Sequence, residues 1–458
     1  MSLHSYHEMT TSLRTSFRSR RTRSYAWRMQ QLDGITRMFS EQLPQLLAAL
    51  EKDLCKPRVE AISVDVECIL AEIRFTQKRL RQWMSQKRVP TPIAIQPGVS
   101  KIQHEPLGVV LIIGPWNYPV QLTVLPLVGA IAAGNCAVVK PSEVAVETSH
   151  FLARELPKYV DPECVRVVEG AVPETTALLE QRWDHIFYTG NGVVGRVVLE
   201  AAAKHLTPVT LELGGKSPCI VDRDANIDVT ARRLMFGKFF NAGQTCVAPD
   251  YLLAHRDIVD RLVNSMKKMV MKFYGEDPKQ SDHFARIINK RHCQRLARLL
   301  ENTEIVFGGD VDLDNRYIAP SVVTGISPEH PIMQEEIFGP ILPMLPIENI
   351  DEAIEFVNDR PKPLALYIFS ASRETHQKVL EQTTSGGVCV NHTMLHLLVS
   401  SLPFGGVGDS GIGAYHGRHS FETFSHERAI LSKGFSLEPN LIYPPYTEKK
   451  EKWIRRLL

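Results

Sequence analysis

The chain is predicted to fold as α/β, with parallel, doubly wound sheets. Two observations carry this: short apolar, β-branched runs alternate with helical stretches from Gly108 to Val221, and a second such block follows to about Pro403. The apolar runs are Gly108–Gly114, Ala137–Lys140, Val165–Glu169, His185–Thr189 and Val209–Leu213. Between them, Leu122–Ala133, Glu143–Leu156 and Val193–His205 read as crossover helices, the last burying Val194, Val197, Val198, Ala201 and Ala202 on one side. Upstream, residues 25–87 read as long helices, and Pro90–Pro97 as an extended arm. In the second block, from about Ala225, Tyr251–Ala254 and Leu364–Phe369 read as strands.

With 458 residues the chain exceeds a single hydrophobic core and divides into two or three domains. A hydrophobic share of 44% with 23% charged residues is ordinary for a globular protein, and a net charge of +2 argues against bulk capture of nucleic acid. No run of ~18 apolar residues exists to span a bilayer. The first thirty residues carry Arg14, Arg18, Arg20, Arg21, Arg23 and Arg28 with only Glu8 acidic, as a transit peptide does. Phe17, Tyr25, Trp27, Met29, Leu32, Ile35 and Met38 nevertheless continue at a helical rhythm, so the reading taken is a first helix of the domain. At the other end, Lys449, Lys450, Lys452, Arg455 and Arg456 surround Trp453, Ile454, Leu457 and Leu458 on one side of a short helix. That pattern suits either an anionic membrane surface or a solvated tail.

Of eight cysteines, Cys55, Cys68, Cys136, Cys164, Cys219, Cys293 and Cys389 read as apolar filler without paired or CxxC spacing, which fits a reducing compartment such as the cytoplasm. Cys246 differs. It sits in Phe239–Pro249, after Asn241-Ala242-Gly243-Gln244-Thr245, in a small polar setting that leaves a thiol accessible. Upstream, Leu211–Pro218 puts Glu212 at the end of an apolar strand beside two glycines. A thiol that attacks a carbonyl forms a covalent intermediate, and a desolvated carboxylate can activate the water that breaks it. The run Gly190-Asn191-Gly192-Val193-Val194-Gly195 satisfies G-x-G-x-x-G between a strand and a helix, a phosphate-binding pattern that plain turns also satisfy. Glu212 also lies near the spacing of a ribose-binding acid, a role that would leave Cys246 without a task. His416 and His419 lack further ligands nearby, and no metal site is expected.

Six further segments run in one order: Gly114–Pro119, Val139–Glu143, Leu211–Pro218, Gly243–Cys246, Gln334–Pro340 and Leu402–Gly408. In these the chain resembles the aldehyde dehydrogenase superfamily from about Arg21 to Pro445. Its length, Tyr415–Gly417 and Ser420–His426 are similar to the class 3 branch. The resemblance implies NAD-dependent oxidation of aldehydes to carboxylic acids, with NADP as a second cofactor. It assigns Cys246 as nucleophile, Glu212 as general base and Asn117 with the Cys246 N–H as oxyanion donors. Lys140 and Glu143 would hold the adenosine ribose, Glu336 and Phe338 the nicotinamide ribose and ring, and Gly190 and Gly195 the cofactor loop.

The architecture implied is aldehyde dehydrogenase-like, in three parts. These are a cofactor domain (1–85 and 105–210), a catalytic domain (211–403) and a bridging, oligomerisation element (86–104 and 404–440), followed by a basic tail (441–458). A homodimer is expected, and class 3 resemblance implies medium- or long-chain fatty, aromatic or isoprenoid-derived aldehydes as substrates. The rival readings are a cysteine-dependent esterase without redox and a semialdehyde dehydrogenase. The chain departs from the family pattern at Asn191, where serine is usual, and at Asp409, usually uncharged.

Overall fold

The computed structural model describes residues 3–436 and 440–457. Two parallel-rich sheets dominate it. In the first, the spatial order is Gly411–Ile412, Val209–Glu212, His185–Thr189, Val109–Ile113, Cys136–Lys140 and Val165–Val167. All pairings are parallel except that of Gly411–Ile412. The chain starts in the middle at Val109–Ile113, winds outward to Val165–Val167, and returns to the other side at His185–Thr189. That reversal leaves a crevice at the carboxyl ends of the two central strands, where nucleotide ligands bind in such sheets. Every residue of Val109–Ile113, Cys136–Lys140 and His185–Thr189 is buried, because helices cover both faces.

The second sheet runs Glu304–Phe307, Ser321–Thr324, Ile341–Ile347, Tyr251–His255, Pro218–Val221, Ala365–Phe369 and Gly387–Val390, antiparallel only at its first pair. It begins before Ala225, at Pro218. The strand Val209–Glu212 belongs to the first sheet, so the chain changes sheets within residues 213–217, just beyond the 210/211 division expected from sequence. A third, antiparallel sheet joins Lys87–Val89, Gly98–Pro106 and Ser425–Lys433, the last two in register over nine residues.

The amino-terminal segment forms two helices, Leu3–Arg18 and Tyr25–Glu41, with a short turn at Arg21–Arg23 instead of one continuous helix. Three of its arginines are tied into the fold: Arg14 reaches Asp184 (2.7 Å), Arg21 reaches Asp161, and buried Arg28 donates to the Ala132 carbonyl (2.7 Å). The Gly192–Ala203 helix corrects one expectation. Val198 and Ala202 are buried, but Val194 and Val197 are 36% and 50% exposed, facing outward with Val193. Cys55 also departs from the apolar-filler reading: it is exposed, at φ 46°, where it ends the Leu43–Leu54 helix. All eight thiols are free.

At the far end, Glu448–Leu457 is helical with Trp453 half exposed; Leu458 lies outside the described residues. Among the described residues no helix is long and apolar enough to cross a membrane.

Candidate active site

Cys246 follows the helix Ile227–Phe239 through a turn that the backbone resists. Asn241, Ala242 and Gly243 have φ of 52°, 51° and 72°, three left-handed residues in succession. Two of them carry a Cβ, and each such residue costs on the order of 1–3 kcal/mol unless its surroundings impose it. Here they do. Glu60 accepts the Asn241 N–H (2.9 Å), and the Gln244 amide donates to the carbonyls of Asn241 and Arg286 (3.0 Å each) while accepting from Ile288 N–H (2.9 Å). Asn241 Nδ2 donates to the Asn117 carbonyl (3.0 Å) and, at 3.3 Å, to the Gln244 carbonyl.

Asn117 lies on the loop after Val109–Ile113, at the crevice, and is 3% exposed. Its Nδ2 donates one hydrogen to the Gln244 carbonyl at 3.0 Å, and the amide group retains a second N–H. Tyr118 OH lies 2.6 Å from Thr245 Oγ1, so the same loop also grips the residue before the cysteine. The cysteine itself keeps some exposed surface, but its sulfur is in a dry environment: burial, then Glu336 and Glu212, push the thiol pKa well up.

Glu212 ends the strand Val209–Glu212, buried, and among the described residues neither carboxyl oxygen has a hydrogen-bond partner. Burial alone pushes its pKa well above the ordinary carboxylate range. An unpartnered buried carboxyl costs stability and is a hallmark of a group kept for chemistry.

Glu336 comes from the loop before Ile341–Ile347. Burial raises its pKa to about 8, with Asp250 adding to the rise and the Gly215 N–H opposing it. The Glu336 carboxyl stands directly against Gly214, where a Cβ would lie 2.0 Å from Oε2 and would make the side chain move. Lys216 holds the two loops together through Asp250 and the carbonyls of Ile332 (2.8 Å) and Glu335 (3.0 Å), and Asp250 also accepts the Ile337 N–H (2.9 Å). Phe338, at φ 50°, packs edge-on against Trp116 (5.2 Å). Sequence reasoning passed over Lys238, 1% exposed on the helix before the Cys246 turn, whose pKa burial lowers to about 8. Its neighbours Asp250 and Glu336 oppose that fall.

On the other flank of the crevice, buried Lys140 ends Cys136–Lys140 and bonds Glu143 at 2.6 Å. Glu143 opens onto a cavity of about 490 Å³ also lined by Tyr6, His150, Glu169 and Glu174. The turn at Gly190 follows His185–Thr189. Asn191, in place of the usual serine, caps the next helix by accepting the Val194 N–H (3.0 Å). The glycines at 190 and 195 make room for packing: a Cβ would meet Tyr188 OH at 2.2 Å and Leu213 Cδ2 at 2.9 Å. Asp409 pairs with Arg196 at 3.3 Å on the surface. His416 is buried and stacked on Phe404, while His419 is half exposed.

A nucleotide-type crevice joined to a desolvated thiol and a buried carboxyl defines an oxidoreductase built for covalent chemistry. Residues 4–430 match the aldehyde dehydrogenase family, and the chain belongs to it. It is 50% identical over 443 residues to aldehyde dehydrogenase family 3 member A2 of Pongo abelii, covering 96% of this chain and 91% of that one. It is 49% identical over 438 residues to the dimeric NADP-preferring aldehyde dehydrogenase of Rattus norvegicus (95% and 97%). The substrate-bound state of Staphylococcus aureus AldH superposes with a TM-score of 0.96 at 43% identity, covering 98% of each chain. The enzyme oxidises aldehydes to carboxylic acids with NAD or NADP.

Proposed function

We propose that Cys246 is the nucleophile, Glu212 the hydrolytic base, and Asn117 with the Cys246 N–H the oxyanion donors of this oxidation. The sulfur bonds to the aldehyde carbon and the thiol proton leaves to solvent, giving a thiohemiacetal whose oxyanion faces preorganised donors. Bound nicotinamide supplies the hydride acceptor. Once hydride had gone to that acceptor, Cys246 would hold the acyl group as a thioester; Glu212 would take a proton from a water whose oxygen bonds to the acyl carbon, the C–S bond would break, and the proton returned by Glu212 would restore the thiol as the carboxylic acid leaves. The observation that carries this reading is Glu212: buried and, among the described residues, unpartnered at both oxygens, with its carboxyl among the groups that push the Cys246 thiol pKa up. A ribose anchor is better matched by Glu143, which is open to a cavity and paired with Lys140.

Lys140 and Glu143 fit an adenosine ribose, with the outward Val193, Val194 and Val197 offering apolar surface for a base. Glu336 and Phe338 would take the nicotinamide end, and the Gly190–Gly195 turn would meet the cofactor as well. The Glu143 carboxylate disfavours a 2′-phosphate, so NAD is the better cofactor and NADP a second. The antiparallel sheet of Gly98–Pro106 and Ser425–Lys433 leaves a long edge for pairing in a homodimer. We assign the substrates to the medium- and long-chain fatty, aromatic or isoprenoid-derived aldehydes, and the 446–458 tail to peripheral membrane contact.

Single-turnover kinetics test the central claim. Glu212→Gln mixed with aldehyde and NAD gives one equivalent of reduced cofactor per site in a burst. Steady turnover is then lower by about 10²–10⁴-fold. In the native enzyme the ionised carboxyl is the base and its pKa is raised, so the hydrolytic rate climbs as pH rises through that pKa. Unchanged steady turnover in Glu212→Gln assigns the base elsewhere; ester cleavage at full rate without nicotinamide favours the hydrolase reading.

A further inference from the structure

The segment before the long Cys68–Trp83 helix carries a charged pair that the reaction scheme does not use. Lys56 and Asp65 are both completely buried, with Nζ 2.7 Å from Asp65 Oδ2. Burying an ion pair is poor value for stability: apolar replacements of similar volume are often neutral or stabilising. The remaining bonds show where the pair acts. Lys56 Nζ also donates to the Asn117 carbonyl at 3.0 Å, and Asp65 Oδ1 accepts the N–H groups of Val120 (3.3 Å) and Gln121 (3.2 Å). One ion pair therefore clamps both ends of the Asn117–Gln121 loop.

The clamp is connected to the nucleophile turn by two routes. The Asn117 carbonyl also accepts Asn241 Nδ2, while Asn117 Nδ2 donates to the Gln244 carbonyl. Lys56 Nζ further sits 4.3 Å from the centre of the Tyr118 ring, whose hydroxyl bonds Thr245. Asp65 itself lies in a π-helical turn, Ala61–Glu67, wider than the α-helix that follows it.

We infer that the buried Lys56–Asp65 pair is a positioning device for aldehyde oxidation, holding the Asn117 amide in register with Cys246. This rests on the reading of Asn117 as an oxyanion donor. Neither Lys56 nor Asp65 touches substrate; each acts through the loop, so its loss is felt only where Asn117 works.

A double-mutant cycle tests it. Lys56→Met with Asp65→Leu replaces the pair by apolar groups in the full-length enzyme, with and without Asn117→Ala. The expected result is a fall of at least tenfold in kcat/KM for aldehyde, an NAD KM within twofold, and no further fall once Asn117 is already alanine. Rates across para-substituted benzaldehydes should also become more dependent on electron withdrawal, as oxyanion support weakens. The single change Asp65→Asn keeps size and an acceptor for the two loop amides; it should show the same pattern with a three- to tenfold fall. An equal fall in both backgrounds, or no fall, overturns the inference. A normal rate for Asn117→Ala alone overturns the donor reading first, and this inference with it.

Discussion

The Cys246 turn and the Gly190–Gly195 turn both place glycines beside a helix at the crevice, but they are built on different terms. Residues 241–243 hold three left-handed conformations, and the residues at either side of Ala242 and Gly243, Asn241 and Gln244, are bonded to distant segments. The Gly190–Gly195 turn uses ordinary φ throughout, with Asn191 accepting the Val194 N–H, Tyr188 OH donating to the Asn191 carbonyl (3.3 Å) and the Gly190 N–H tying the turn to the Glu212 carbonyl (3.0 Å). The first is dry, the second largely exposed: Asn241, Ala242 and Gly243 are buried, whereas Val193 is 74% exposed. Bond-making needs reacting atoms fixed within a fraction of an ångström, and a displacement of about 1 Å costs about 10²-fold. Gripping a dinucleotide spreads over many contacts and tolerates slack.

Gly243→Ala should break the first region outright. At φ 72° a Cβ is strained, and it would lie 2.3 Å from the Gly339 carbonyl oxygen and 2.5 Å from its carbon, backbone atoms that cannot rotate away. The expected outcome is about 2 kcal/mol or more of lost stability and a kcat lower by about 10²-fold, read by thermal unfolding and steady-state kinetics. A silent Gly243→Ala would show that the turn is not over-determined.

That over-determination was hidden from sequence, while the sheets were not. Val109–Ile113 and His185–Thr189 announce themselves as unbroken apolar runs because parallel strands are buried on both faces. Cys246 and Glu212 stood out because each is a reactive group in a small-residue setting. The supports did not: Glu60 reaches Asn241 across 181 positions and Lys56 reaches Asn117 across 61, and no local pattern encodes such bonds. Periodicity also misled at Val194 and Val197. It identifies an apolar stripe, but a stripe open to solvent reads the same as one facing the core. The antiparallel edge strand Gly411–Ile412 was missed because two residues carry no period.

The cofactor side should answer to charge and not to shape. Glu143→Gln removes the carboxylate that Lys140 bonds and frees that ammonium for a phosphate. The ratio of kcat/KM for NADP to that for NAD should rise about tenfold, about 1.4 kcal/mol, within what one charge supplies at this range through partly solvated protein. The kcat at saturating NAD should stay within about twofold, since the group stands apart from the reacting atoms. A fall in kcat that equals the change in kcat/KM would place Glu143 in the chemistry and dissolve the contrast between the two turns.

The mildest change sharpens the contrast most. Gly195→Ala, the same substitution as Gly243→Ala, falls in the first turn of the Gly192–Ala203 helix at an ordinary φ, and its Cβ meets the tip of the Leu213 side chain at 2.9 Å. That methyl can swing by a rotamer, at a cost of about 1 kcal/mol, while alanine in place of glycine returns up to about 1 kcal/mol of helix propensity. The two nearly cancel, so the melting temperature should move by no more than a few degrees and the NAD KM by less than about threefold. Leu213 adjoins Glu212, which makes the substitution a sensitive probe of how far the rigid region extends. If kcat drops tenfold while the NAD KM holds, the shift has travelled through Leu213 to the base, and the boundary between the fixed and the tolerant parts of the site lies on the cofactor side of that strand.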